Sequence, residues 1–196
     1  MQNNRLLVGL LALSFPVMAS AVTDWVTTAL DPRVSVQAPV VLRELDLARI
    51  LRSQGASEEA ITRNSGTRTF LAQDALGSYT VLVRRIGGLD LTAHGPEVRL
   101  AFYEQYLRAV LQSERGELMA RAPFSVSGQE GIDYSYRGLN KGTGRVVLKL
   151  ARALVVDNTC YTLNYTPANK DSTGQTGALE RTRFFGSILV QSPPSR

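Results

Sequence analysis

Apolar and polar residues alternate along some stretches of this chain and recur at helical spacing along others, and the two periods divide it into elements. Val34, Val36 and Ala38 alternate with Ser35 and Gln37 and stop at Pro39, which predicts a short strand ended by proline. Within residues 40–63, Leu47, Ile50 and Leu51 form a helical stripe. Ser57-Glu58-Glu59 has the form of a helix start, with Gly55 as the break before it. The segment TRTFLAQDALGSYTVLVRRI holds two strand-like runs around Asp74-Ala75-Leu76-Gly77, a link suited to a hairpin. Tyr79, Val81 and Val83 share one face of the second run and Thr80 and Leu82 the other, so neither face is fully solvated.

The strongest helical pattern runs over about 96–113. Gly95-Pro96-Glu97 opens it, with proline in the first turn and an acid placed to suit the helix dipole. Leu100, Tyr103, Leu107, Val110 and Leu111 fall on one stripe. Glu104 and Arg108 are spaced for an i,i+4 ion pair, and Gly116 is a stop signal. Four strand-like runs follow, at 118–126, 131–138, 145–156 and 159–166, joined by short links rich in turn formers. Short links join antiparallel neighbours, so this half is expected to be a meander. In the third run Val146, Leu148, Leu150, Leu154 and Val156 oppose Val147, Ala151, Ala153 and Val155, which predicts a strand covered on both sides. After a polar loop at 167–177, Ala178, Leu179, Thr182 and Phe185 make a short helical stripe. Gly186 ends it, and Ser187 to Val190 are extended. The final helix is expected to pack its Phe on the sheet and the final strand to pair into that sheet.

The first residues change the picture. Arg5, the apolar run Leu6–Met18 and then Ala19-Ser20-Ala21 make the pattern of a secretory signal, with cleavage expected after Ala21. The run is too short to act comfortably as a membrane anchor. The expected organisation is a signal peptide at 1–21, a single domain at 22–191 and a frayed tail at 192–196, with a periplasmic or secreted location. No transmembrane segment is expected once the signal is removed. Of 22 basic residues one is Arg5, so the processed chain carries 21 against 17 acidic, a net of +4. These charges are dispersed, where a nucleic-acid binder would cluster them. Cys160, the single cysteine, allows no internal disulfide and reads as a buried thiol within a strand.

The order of elements resembles bacterial exported proteins of the PsbP/Mog1-like type. The pieces that carry the likeness are VSVQAP, GSYTVLV, AFYEQYLRAVL, FSVSGQEGIDYSY, VVLKLARALVV, CYTLNY and RFFGSILV, over about residues 25–190. Residues 42–66 depart from it, being longer and more helical. The resemblance implies an α+β fold: an α/β/α sandwich with a mainly antiparallel sheet of about six to eight strands, the long helix near 96–113 and a short C-terminal helix. It implies an accessory, docking or envelope role, and it transfers no functional residues.

His94 is the only histidine, which rules out a histidine-based metal cluster, and it sits in a loop beside the helix start. Glu58-Glu59 read as helix-start charges, and Glu130 and Asp133 flank a turn. GLNKGTGR lacks the phosphate-loop pattern and stands between strands, where a hairpin accounts for it better. No metal, cofactor or catalytic residue is assigned. The expected function is a noncatalytic accessory or interaction module for an envelope partner. The alternative is a carrier of a small apolar ligand between the long helix and the sheet, with Phe102, Tyr103 and Tyr106 as candidate lining residues.

Overall fold

A computed structural model of the chain describes residues 24–87, 91, 94–139, 144–168 and 175–192. The predicted signal segment and its cleavage point lie outside the described residues, as do residues 193–196 of the tail.

Strands β1 (Val26–Ala29) and β2 (Val34–Ala38) pair antiparallel. Their link is closed by the Asp31 carboxylate, which accepts from the backbone N–H groups of Arg33 at 2.7 Å and Val34 at 2.8 Å. After β3 (Arg43–Leu45) come two short helices, α1 (Leu47–Ser53) and α2 (Glu58–Asn64). Each starts on a side-chain cap: Asp46 accepts from Arg49 N at 2.9 Å, and Ser57 from Ala60 N at 3.2 Å. The predicted break at Gly55 is real, and its φ of +74° is one that glycine adopts without cost. Strands β4 (Thr67–Gln73) and β5 (Gly77–Arg85) form the expected hairpin. Asp74 shapes its turn by accepting from Leu76 N at 2.8 Å and Gly77 N at 2.9 Å.

The long helix α3 (Pro96–Glu114) leads into β6 (Glu117–Val126), β7 (Gln129–Leu139), β8 (Val146–Val156) and β9 (Thr159–Pro167). These four strands are the predicted meander, and β9 then pairs with β5. The result is a seven-stranded sheet in the order β3-β4-β5-β9-β8-β7-β6. Helix α4 (Gln175–Gly186) and strand β10 (Leu189–Val190) finish the described chain. Every described pairing in both sheets is antiparallel, so the fold is α+β in class.

The large sheet separates two cores. On one face Tyr103 and Leu107 of α3 meet Ile132, Tyr134 and Tyr136 of β7, Ala151, Ala153 and Val155 of β8, and Cys160. On the other, Val34, Val36 and Ala38 of β2 and Phe184, Phe185 and Ile188 meet Tyr79, Val81, Leu154, Tyr161, Leu163 and Tyr165. Strand β8 is therefore covered on both sides along its second half, as its two apolar faces predict.

Five local expectations differ from the structure. Strand β10 pairs with β2, not with the large sheet, and completes a three-stranded sheet in the order β1-β2-β10. The Ser187 hydroxyl supports that choice by accepting from Gln37 N at 2.9 Å. In α4 the buried side chains are Phe184 and Phe185, whereas Leu179 is 64% exposed. The helix also begins at Gln175, inside the segment read as loop. Glu104 pairs with Arg121 of β6 across the sheet edge, leaving Arg108 Nε to donate to the Glu104 carbonyl at 3.4 Å. Leu100, at the top of the predicted α3 stripe, is exposed, and the buried side chains of α3 are Tyr103 and Leu107.

Candidate functional site

The α3 face of the sheet carries the aromatic residues singled out from the sequence. Phe102 packs edge-on to Tyr103 and stacks on Tyr106, with ring centroids 5.4 and 6.2 Å apart. The Tyr103 hydroxyl donates to Glu130 O at 2.8 Å and accepts from Val155 N at 3.0 Å. The β7–β8 ladder ends at the Gly131–Leu154 pair, and this hydroxyl bridges the two strands just beyond it. The Tyr106 hydroxyl shares a hydrogen bond of 2.7 Å with Thr162. It also interacts electrostatically with the buried Tyr134 hydroxyl. Tyr134 has no hydrogen bond of good geometry among the described residues. Burial pushes the Tyr106 phenol up to about 12 and the Cys160 thiol up to about 11. Tyr103 and Tyr134 are driven higher by the same desolvation. These groups stay protonated and neutral at physiological pH, in keeping with a packed layer.

Helix α3 is also tied to the sheet at three levels by ion pairs. Arg99 reaches Glu130 at 2.9 Å, Glu104 meets Arg121, and Glu114 meets Lys149. Glu130 and Asp133, the acids that flank a turn, each hold an arginine, Arg99 and Arg152 respectively. Glu58 and Glu59 pair with Arg52 and Arg63. His94 is exposed, and its carbonyl accepts from Arg99 Nη1 at 3.1 Å.

The opposite face of the sheet opens at its β6–β8 end. A cleft of about 470 Å³ lies between these strands and α4. Its strand side includes Ala120 and Ala122 of β6, Ser135 of β7 and Leu150 of β8, and Thr182, Phe185 and Gly186 of α4 stand across it. The register puts Ala120 opposite Ser135 and Ala122 opposite Asp133, so small side chains share this face while Arg121 turns to the α3 side. The cleft exists because β2 and Phe184 cover β5, β9 and the inner part of β8, and small residues beyond them leave α4 standing off the sheet.

One end of the cleft is closed by Arg152. Its Nε and Nη2 donate to the two Asp133 oxygens at 2.7 Å each, and its Nη1 donates to Phe185 O at 2.9 Å. The guanidinium lies 4.0 Å from the centroid of Phe124. Its bond to Phe185 O places a cation at the last turn of α4, where the helix dipole favours it. Arg152, Arg181 and Asp133 border the cleft, as does Arg121, whose side chain is turned to the α3 face. Arg152 is matched by Asp133 and Arg121 by Glu104, which leaves the charge of Arg181.

None of these lining residues was marked as a site from the sequence. The alternation of Ala120 and Ala122 with Arg121 is a legible sign of a strand face lacking large side chains. Nothing local marks Arg152 or Arg181, because their neighbours come from other elements. Among the described residues no group of three or more His, Cys, Asp or Glu side chains is placed to hold a metal ion.

No family model and no curated protein matches the chain. Solved structures do. Cyanobacterial PsbP (CyanoP) of Synechocystis sp. PCC 6803 aligns with a TM-score of 0.53 at 19% identity, over 88% of this chain and 96% of that one. A Pseudomonas aeruginosa protein of unknown function aligns with a TM-score of 0.45 at 11% identity, over 86% of this chain and 98% of that one. The fold is PsbP-like, as the order of elements implies.

Proposed function

We propose that this PsbP-like chain is an exported, noncatalytic accessory module that works by binding, with the α4 cleft as its contact surface. The observation that carries this reading is the uncovered β6–β8 end of the sheet. There a partly apolar surface faces solvent beside a fixed arginine–aspartate pair, while Glu130 and Asp133 are used in ion pairs between elements. Export is supported by the signal pattern at residues 1–21. No helix among the described residues is long and apolar enough to cross a membrane. The α3 face, with Phe102, Tyr103 and Tyr106, remains the second candidate surface, and there the ligand would have to displace packed aromatic contacts.

The test is native mass spectrometry of the protein purified gently from its own host's envelope fraction, beside the variant Ala120→Trp, which fills the cleft. A protein or small mass retained by the parent and lost from the variant supports the reading. A partner retained equally by both moves binding away from the cleft and overturns it.

A further inference from the structure

We propose that the α4 cleft binds a small anionic amphiphile, a molecule with an extended apolar body and a single carboxylate-type head. This rests on the reading of the cleft as the binding surface and names what occupies it.

The apolar part of the surface extends past the cleft itself. Leu179 lies on the same stripe of α4 as Thr182 and Gly186, at spacings of three and four, and is 64% exposed. On β8, Val146 and Leu148 share the face of Leu150, and Val146 is 68% exposed. Four large apolar side chains therefore flank a floor of Ala120, Ala122 and Ser135 on which a chain-like body can lie close to the sheet. The cleft's volume of about 470 Å³ falls inside the range of small-molecule sites, roughly 300–1,000 Å³.

Charge selects the head group. Arg152 is saturated by Asp133 and the Phe185 carbonyl and is packed over Phe124, so it closes one end without offering a free charge. Arg121 is taken by Glu104. Arg181 lines the same cleft from α4 and has no ion pair or hydrogen bond among the described residues. An apolar ligand without charge would strip water from Arg181 and return nothing. A cationic one would be repelled. An anionic head pairs with it directly, and one arginine without an ion pair among the described residues matches one negative charge.

The test is a titration of the purified protein with sodium decanoate, below its micellar concentration, followed by amide chemical shifts. 1-Decanol serves as the uncharged control of equal chain length. Saturable shifts at Ala120, Ala122, Ser135, Leu150 and Thr182 are expected, with binding of decanol and of Arg181→Glu weaker by about tenfold or more. Arg181→Lys should retain binding and Ala120→Trp should abolish it, both variants keeping the parent's circular dichroism. No saturable decanoate binding overturns the proposal, as does decanol binding as tightly as decanoate, or binding that survives Ala120→Trp. If decanoate fails while an envelope protein is captured by the parent and lost from Ala120→Trp, the amphiphile falls and the binding-module reading stands.

Discussion

Replacing Phe184 with alanine tests how α4 is seated. The side chain is fully buried, and its ring lies 5.2 Å from Tyr79 and 5.7 Å from Phe185. A phenyl ring of this kind buries roughly 200 Å², and its truncation in a close-packed core costs about 3–5 kcal/mol with the cavity included. The Tyr79 contact is edge-on, a geometry that contributes about 0.5–1.5 kcal/mol within that total. Urea unfolding can be followed by Trp25, the only tryptophan, which itself packs edge-on to Tyr79 at 6.2 Å. With an m-value of about 2 kcal/mol/M, the midpoint should fall by roughly 1.5–2.5 M at unchanged m. Leu179→Ala is the paired control. It belongs to the stripe that periodicity alone would bury, yet it is exposed, so its effect should stay within about 0.5 kcal/mol. A loss below about 1 kcal/mol for Phe184→Ala, or equal losses for the two variants, would refute this placement of the helix.

Other consequences follow from single contacts. Tyr103→Phe removes the hydroxyl that accepts from Val155 N and should cost about 1–3 kcal/mol in urea melts, because a buried N–H is left unpaired; an unchanged midpoint would mean the bridge is not made. Gly131→Ala would bring a Cβ within 2.3 Å of Phe124 Cε1 and 2.5 Å of Ala153 O, so a thermal melt should show a loss of about 1–3 kcal/mol; a neutral effect would contradict this close approach. Burial and the neighbouring Asp74 raise the Glu180 carboxyl above its ordinary range. A raised folded pKa gives stability that is full below the unfolded value of 4.5 and is lost as pH rises through the folded one. Glu180→Gln should therefore be more stable than the parent at pH 7 and lose that advantage toward pH 4, and a variant less stable at pH 7 would reverse the sign. The Cys160 thiol, buried and raised to about 11, should react with a disulfide reagent at pH 8 only after denaturant is added; prompt reaction in the native state would contradict its burial.

Much of the architecture follows from local chemistry that a sequence displays directly. The caps at Asp46 and Ser57, the break at Gly55, the Asp74 turn and the opening of α3 at Pro96 each depend on residues within a few positions of one another. The two apolar faces of β8 report burial on both sides, because successive side chains of a strand must point to opposite faces. What periodicity could not decide was partner choice. Strand β10 has only two residues, so its own pattern cannot separate β2 from the large sheet; a serine 150 positions from Gln37 supports the β2 pairing. In α4, periodicity favours Leu179, but Phe184 is the residue that reaches the pocket beside Tyr79. The candidate site was the least legible part. Arg152 meets Asp133 nineteen positions earlier and Phe185 thirty-three positions later, and the cleft arises where α4 overhangs a strand face of small residues. The sequence by itself determined which segments are helix or strand and which of their faces are apolar, since those depend on neighbours along the chain. Only the tertiary structure decided which faces meet and which stay open, because that depends on contacts between residues far apart in sequence.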